Sequence, residues 1–187
     1  MVRFNEIFVD FDETIVNSLK EICKIYNNKY NLHSNWKNSK LWSLKDECPL
    51  FNAGEVEDLF SSDSFFRNLT LKEGAFEVLT ELSNDYPITI VSIGTTQNLS
   101  KKEKFINEKL PFVSKSVLIP VEKNKLIMDK SSVDMSNGIL IDDVEDNLFS
   151  SNATMQILYE NIPKAEWNSK WTGERINDWY DFYKYFV

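Results

Sequence analysis

Short apolar runs that stop abruptly at acidic or hydroxyl residues recur along this chain, and amphipathic stretches separate them; no other feature constrains the fold as strongly. Ile7-Phe8-Val9 breaks at Asp10, Ile88-Thr89-Ile90-Val91 runs into Ser92, and Val117-Leu118-Ile119 meets Pro120. Gly138-Ile139-Leu140-Ile141 breaks at Asp142-Asp143, and Gln156-Ile157-Leu158-Tyr159 is a further run of the same kind. Apolar runs this short, bounded by turn residues, are what strands buried on both faces look like. Between them, apolar positions 15, 19, 22, 26 and 30 recur at helical spacing, as do Phe76, Leu79 and Leu82 within 74–84. Residues 99–110 read as a charged helix, and the aromatic tail, 172–187, as another. The alternation predicts an α/β fold with a Rossmann-like, mostly parallel sheet. Residues 31–70 offer no strand and interrupt it. With the helix before them they predict a small helical cap inserted after the first strand, giving a core of 1–15 and 72–187 and a cap of 16–71.

Composition narrows the function. Thirteen Phe, seven Tyr and five Trp among 187 residues can fill a core and exclude disorder as the main state. A net charge of −8 speaks against a polynucleotide groove, which needs a basic face. No run is long enough for a membrane span and no leader pattern is visible, so a cytoplasmic protein working on a small molecule, as monomer or homodimer, is expected. Lys far outnumbers Arg, a bias of AT-rich coding and so of a bacterial or viral source. Two cysteines, Cys23 and Cys48, are too few for a disulfide scaffold or a structural zinc site, and the single histidine, His33, leaves little scope for imidazole chemistry.

In an open parallel sheet the ligand crevice lies at the carboxyl ends of the strands. The strand ends here deliver Asp10 and Asp12, Ser92-Ile93-Gly94, and Asp142-Asp143 to one edge. Asp142-Asp143 alone would read as a solvated turn or a helix cap. Beside Asp10 and Asp12 it makes a cluster of like charges, costly unless a hard cation neutralises it, and Mg²⁺ is the expected cofactor. Phe65, Phe66, Trp36 and Trp42 read equally well as core and as faces for a flat ligand.

Asp10-Phe11-Asp12-Glu13-Thr14 resembles the first motif of the haloacid dehalogenase superfamily of phosphotransferases. Ser92 after an apolar run, a lysine near 122–125, and Ile141-Asp142-Asp143 with Asp146-Asn147 follow in the superfamily's order. Ser64-Phe65-Phe66-Arg67-Asn68-Leu69 leading to Gly74-Ala75, together with Asn161 and the Trp-rich tail, is similar to 5′(3′)-deoxyribonucleotidases of bacterial or phage type. Glu13, where that family more often has Gly or Asn, and Lys72-Glu73, in place of a Pro-rich pair, depart from the pattern.

The resemblance implies a Mg²⁺-dependent phosphatase for nucleoside monophosphates. Asp10 would be the nucleophile and Asp12 the general acid and base. Asp10, the main-chain carbonyl of Asp12 and Asp142 would hold the metal, with Asp143 in the same set. Ser92, Ile93 and Gly94 would bind phosphoryl oxygens, and Lys125 would balance their charge, with Lys123 and then Lys130 as the other candidates. Lys102 is a further residue that could line the site. Phe65, Phe66 and Trp42 would contact the substrate. Another small phosphorylated metabolite as substrate, or an inactive binding protein of the same fold, are the competing expectations.

Overall fold

The computed structural model describes residues 4–122 and 127–186. Its centre is β1 (Glu6–Val9), flanked by β2 (Ile88–Thr95) and β4 (Gly138–Asp142). Beyond these lie β3 (Val113–Val121) on one side and β5 (Met155–Tyr159) and β6 (Glu174–Ile176) on the other. The order is β3-β2-β1-β4-β5-β6 and every neighbouring pair is parallel. The chain winds outward from β1 in one direction and then restarts on its other side at β4. The carboxyl ends of β1 and β4 therefore open at a topological switch point, where such sheets bind ligands.

Strand alternation explains why the apolar runs are unbroken. Ile7 and Val9 face one layer with Ile90, Ile139 and Ile141, while Phe8 faces the other with Val91, Leu140 and Leu158. All are buried, and each contributes about 1.5–3 kcal/mol relative to an exposed position. Gly138 lets β4 sit close on β1: a Cβ there would fall 2.4 Å from the Phe8 ring and 2.8 Å from the Glu6 carbonyl.

Helices α1 (Ser18–Tyr30), α4 (Ala75–Leu82) and α5 (Thr96–Lys109) occupy the amphipathic stretches. Helix α5 starts three residues earlier than expected, because Thr95 at the end of β2 caps it directly through Asn98 N–H. β3 runs through Pro120 instead of ending there; it is an edge strand, where a missing N–H is tolerated. The tail is not one helix. It contains β6 and a short α7 (Trp179–Tyr183), whose start is fixed by Asp178 accepting from Tyr180 N–H.

Residues 31–70 carry a 3₁₀ turn (Trp36–Asn38), α2 (Ala53–Leu59) and α3 (Asp63–Asn68). Helix α2 opens on a reciprocal capping box between Asn52 and Glu55, which lets so short a segment hold. The segment's two ends meet: Val16 pairs with Leu71, Asn17 N–H reaches Thr70 O at 2.9 Å, and Lys72 N–H reaches Ile15 O at 2.9 Å. Inside, Tyr26 and Tyr30 each pack edge to face against Phe51, and buried Cys23 and Cys48 place their sulfurs 3.7 Å apart. Among the described residues no helix is long and apolar enough to cross a membrane.

Candidate active site

The carboxyl ends of β1 and β4 bring Asp10, Asp142 and Asp143 together, with one carboxylate oxygen from each within 4.8 Å of the others. All three are buried, and among the described residues one ammonium pairs with two of them, Asp10 and Asp142. Lys130 Nζ donates to Asp10 Oδ1 at 2.6 Å, to Asp142 Oδ2 at 2.5 Å and to the Val91 carbonyl at 2.7 Å. Burial alone would push this ammonium down, but the two carboxylates hold it above the ordinary lysine value. Lys130 reaches inward from an irregular segment. Ser131 N–H closes a turn on Asp129, and Lys130 N–H is anchored by Ser150 Oγ.

The three carboxylates are not equivalent. Asp142 is saturated: Oδ1 accepts from Val144 N–H and from Asn147 Nδ2, and Oδ2 accepts from Lys130. Among the described residues Asp10 has only Oδ1 engaged, which leaves Oδ2 for chemistry. Among the described residues nothing donates to the Asp143 carboxylate. Burial first, then the charges of Asp10 and Asp142, push its carboxyl well above the ordinary range. Burial likewise pushes Asp10 up to about 7, against the pull of Lys130 and Lys102. A buried set of oxygen donors carrying more negative charge than its lysine can neutralise fits a hard divalent cation. Asp143 and the open oxygen of Asp10 are the donors available to it.

Asp12, two residues beyond Asp10, stands apart from this set and is partly exposed. Its Oδ1 accepts from Ser18 Oγ at 2.6 Å, at the start of α1. Its Oδ2 pairs with Lys102 Nζ at 2.5 Å. Lys102, wholly buried on α5, also donates to Ser92 Oγ at 2.8 Å and to the Ile93 carbonyl at 3.2 Å. Lys102 thus joins Ser92 and Ile93, in the second half of β2, to Asp12, and Gly94 follows them in the strand. Gly94 passes so close to α5 that a Cβ would meet Asn98 Oδ1 at 2.3 Å.

The remaining expected residues divide. Lys125 and Lys123 lie outside the described residues, and the lysine seen between the aspartates is Lys130, which the local register had placed last. Phe65 is fully buried against Phe60 and Phe66 and has no face free for a ligand, which corrects its expected substrate contact. The reason is helical phase: on α3 the two adjacent rings cannot point the same way. Phe66 is half-buried and touches Phe11, the residue between the two aspartates, at a centroid distance of 6.5 Å. Trp42 is 47% exposed and packs edge-on against Trp167, while its N–H is held by Glu166, so it sits at the seam between the inserted segment and the loop after β5. The sequence reading had not joined Glu13, Lys72 and Asn161, which meet here in a second buried cluster.

With this geometry in hand, comparison with known proteins is specific. A family model described as 5′ nucleotidase, deoxy (pyrimidine), cytosolic type C matches residues 4–187. A 5′(3′)-deoxyribonucleotidase of Clostridium acetobutylicum is 27% identical over 176 residues, which is 92% of this chain and 89% of that protein. Among solved structures, a haloacid dehalogenase-like hydrolase of Streptococcus pneumoniae superposes with a TM-score of 0.62 at 14% identity, covering 100% of both chains. Bacillus subtilis YfnB, bound to magnesium, superposes with a TM-score of 0.59 at 14% identity over 98% of each. These two show the same fold.

Proposed function

Because the chain belongs to the 5′ nucleotidase, deoxy (pyrimidine), cytosolic type C family and is therefore a phosphoric monoester hydrolase, we propose that it releases phosphate from deoxyribonucleoside monophosphates with Mg²⁺, through a phosphoryl group carried on Asp10. The observation that supports this reading best is the asymmetry of Asp10: Oδ1 is fixed by Lys130, Oδ2 has no donor among the described residues, and the carboxyl shares a buried cluster with Asp143. A carboxylate held on one side only is oriented to attack with the other. Magnesium would be held by Asp10 and Asp143, with the main-chain carbonyl of Asp12, and would supply charge neutralisation between nucleophile and phosphate. Asp142 then acts by orienting Lys130.

Each side chain has a task in this account. Asp10 Oδ2 gives its electron pair to phosphorus as the bond from phosphorus to the nucleoside oxygen breaks. Asp12 donates a proton to that departing oxygen and later removes one from the water that attacks the aspartyl phosphate. Lys102, Ser92 and the N–H groups near Gly94 take the phosphoryl oxygens. Before substrate arrives, Lys102 Nζ is paired with Asp12 Oδ2 at 2.5 Å. An entering phosphate offers Lys102 a competing anion, which frees Asp12 Oδ2 to face the departing oxygen. Residues 16–71 serve as the cap over this edge, and Phe66, resting on Phe11, is the ring placed to meet the substrate's base.

The test is phosphate release across nucleoside monophosphates, deoxynucleoside monophosphates and sugar phosphates, with and without Mg²⁺. Release from deoxynucleotides that depends on Mg²⁺ and exceeds that from ribose 5-phosphate is expected. Equal efficiency on nucleotides and sugar phosphates would reject the nucleotide assignment, and full activity in chelator would reject the metal.

A further inference from the structure

Glu13 is the residue immediately after Asp12 and adopts a left-handed backbone, φ 54°. That conformation costs a glutamate energy that a glycine would not spend, so something must hold it there. The side chain shows what does. Its carboxylate is buried, and both oxygens are occupied: Oε1 accepts from Leu19 N–H at 2.6 Å, and Oε2 accepts from Lys72 Nζ at 2.8 Å and from Asn161 Nδ2. These partners come from three places, namely the start of α1, the segment that returns from the cap, and the loop after β5. Lys72 is equally enclosed, with its ammonium 5.6 Å from the Trp36 ring and 5.8 Å from the Tyr159 ring.

Leu19 and Ser18 are consecutive, and they bind consecutive carboxylates. Ser18 Oγ donates to Asp12 and Leu19 N–H donates to Glu13. The intervening turn is closed by Ile15 N–H and Val16 N–H, both on the Phe11 carbonyl at 3.2 Å. Asp12 is thus held by a ring of contacts whose far side is the Lys72–Glu13 ion pair. Moving Glu13 would move the first turn of α1, and with it the hydroxyl that fixes Asp12.

We infer that Glu13 is a positioning residue for Asp12, and that Lys72 couples the cap's return segment to the acid–base step. The inference rests on the proposed role of Asp12. It predicts a defect that depends on the leaving group. A nucleoside oxygen needs a proton as it departs, whereas p-nitrophenolate does not. For both substrates kcat/KM reports the steps through phosphoryl transfer to Asp10, so comparing the two isolates the proton delivered by Asp12.

The experiment measures kcat/KM for a deoxynucleoside monophosphate and for p-nitrophenyl phosphate in Asp12→Asn, Glu13→Gln, Lys72→Met and the Glu13→Gln/Lys72→Met double variant. Asp12→Asn should lose far more on the nucleotide than on the aryl ester. Glu13→Gln and Lys72→Met should show the same split more weakly, with about 10–10²-fold lost on the nucleotide and at most about threefold on the aryl ester. The double variant removes the ion pair without leaving a buried charge, so it carries the comparison if a single variant does not fold. If Asp12→Asn discriminates between the substrates while the Glu13 and double variants lose equally on both, or lose nothing, the inference is overturned alone. If Asp12→Asn itself loses equally on both, the acid–base role falls and the inference falls with it.

Discussion

Lys130 and Lys72 are both buried against carboxylates, yet their surroundings differ in one respect that sorts their roles. Among the described residues Lys72 donates to one carboxylate, Glu13, whose oxygens are both held by protein donors, and its charge also acts on Asp143. Lys130 donates to two, Asp10 and Asp142, which share a cluster with Asp143, and among the described residues only Asp142 of the three has both oxygens held by protein donors. A balanced buried pair fixes structure. An unbalanced one keeps an open oxygen and an excess of negative charge, and both are useful only if a phosphate and a cation come to it. The carboxyl edge at β1 and β4 is therefore incomplete by construction, whereas the base of the cap is complete without ligand.

The largest expected effect breaks the Lys130 side. Lys130→Met should lower turnover by about 10²–10³-fold on every substrate, since it removes a positive charge from the reacting carboxylate. Lys72→Met should spare aryl phosphates. Equal loss for both variants on p-nitrophenyl phosphate would erase the distinction between the clusters.

A smaller effect tests the imbalance itself. Asp143→Asn removes a buried carboxylate that has no donor among the described residues, so the metal-free protein should melt higher than the parent. The same variant should need at least about tenfold more Mg²⁺ for half-maximal activity. A lower melting temperature together with unchanged Mg²⁺ demand would mean that Asp143 is stabilised by something other than a cation. Phe66→Ala should then cut the preference for nucleotide over ribose 5-phosphate by about tenfold, the loss of one stacking contact. If that preference is unchanged in steady-state assays, another surface reads the base.

The smallest effect is in pH. Burial pushes the Asp10 carboxyl up to about 7, whereas in the unfolded chain it titrates at about 3.9. Between those values the metal-free native state keeps a proton that the unfolded state has released. The Asp10 contribution to stability therefore falls as pH rises from about 4 to about 7. Urea unfolding of metal-free protein should show this slope and Asp10→Asn should flatten it; an unchanged slope in the variant would assign it to another group.

Much of this edge was legible in the sequence, because its residues sit where apolar runs stop. Asp10 and Asp142-Asp143 were placed at strand ends by that rule; Ser92 instead lies inside β2, which runs on to Thr95, and it reaches the same edge because β1 stops at Val9, in register with Ile90. Lys130 was legible only as one lysine among several: it lies 120 positions from Asp10 in a segment without periodicity, and contact over that distance leaves no local mark. β6 is three residues long, too short to show alternation beside an aromatic helix. Which of Phe65 and Phe66 faces outward depends on where α3 begins, which Ser62 fixes by capping Phe65 N–H. Glu13 and Lys72 were each visible as departures from a family pattern. That the two departures answer one another could be seen only once residues 59 positions apart were in contact.

The central claim is that Asp10 carries the phosphoryl group, and it can be read directly. Enzyme quenched during turnover of a deoxynucleotide and reduced with borohydride should contain homoserine at position 10, because an acyl phosphate is reduced where a free carboxylate is not. Asp10→Asn should show neither the homoserine nor turnover. An unmodified Asp10 in an enzyme quenched at full turnover, or an Asp10→Asn variant that still releases phosphate at the parent rate, would contradict the account.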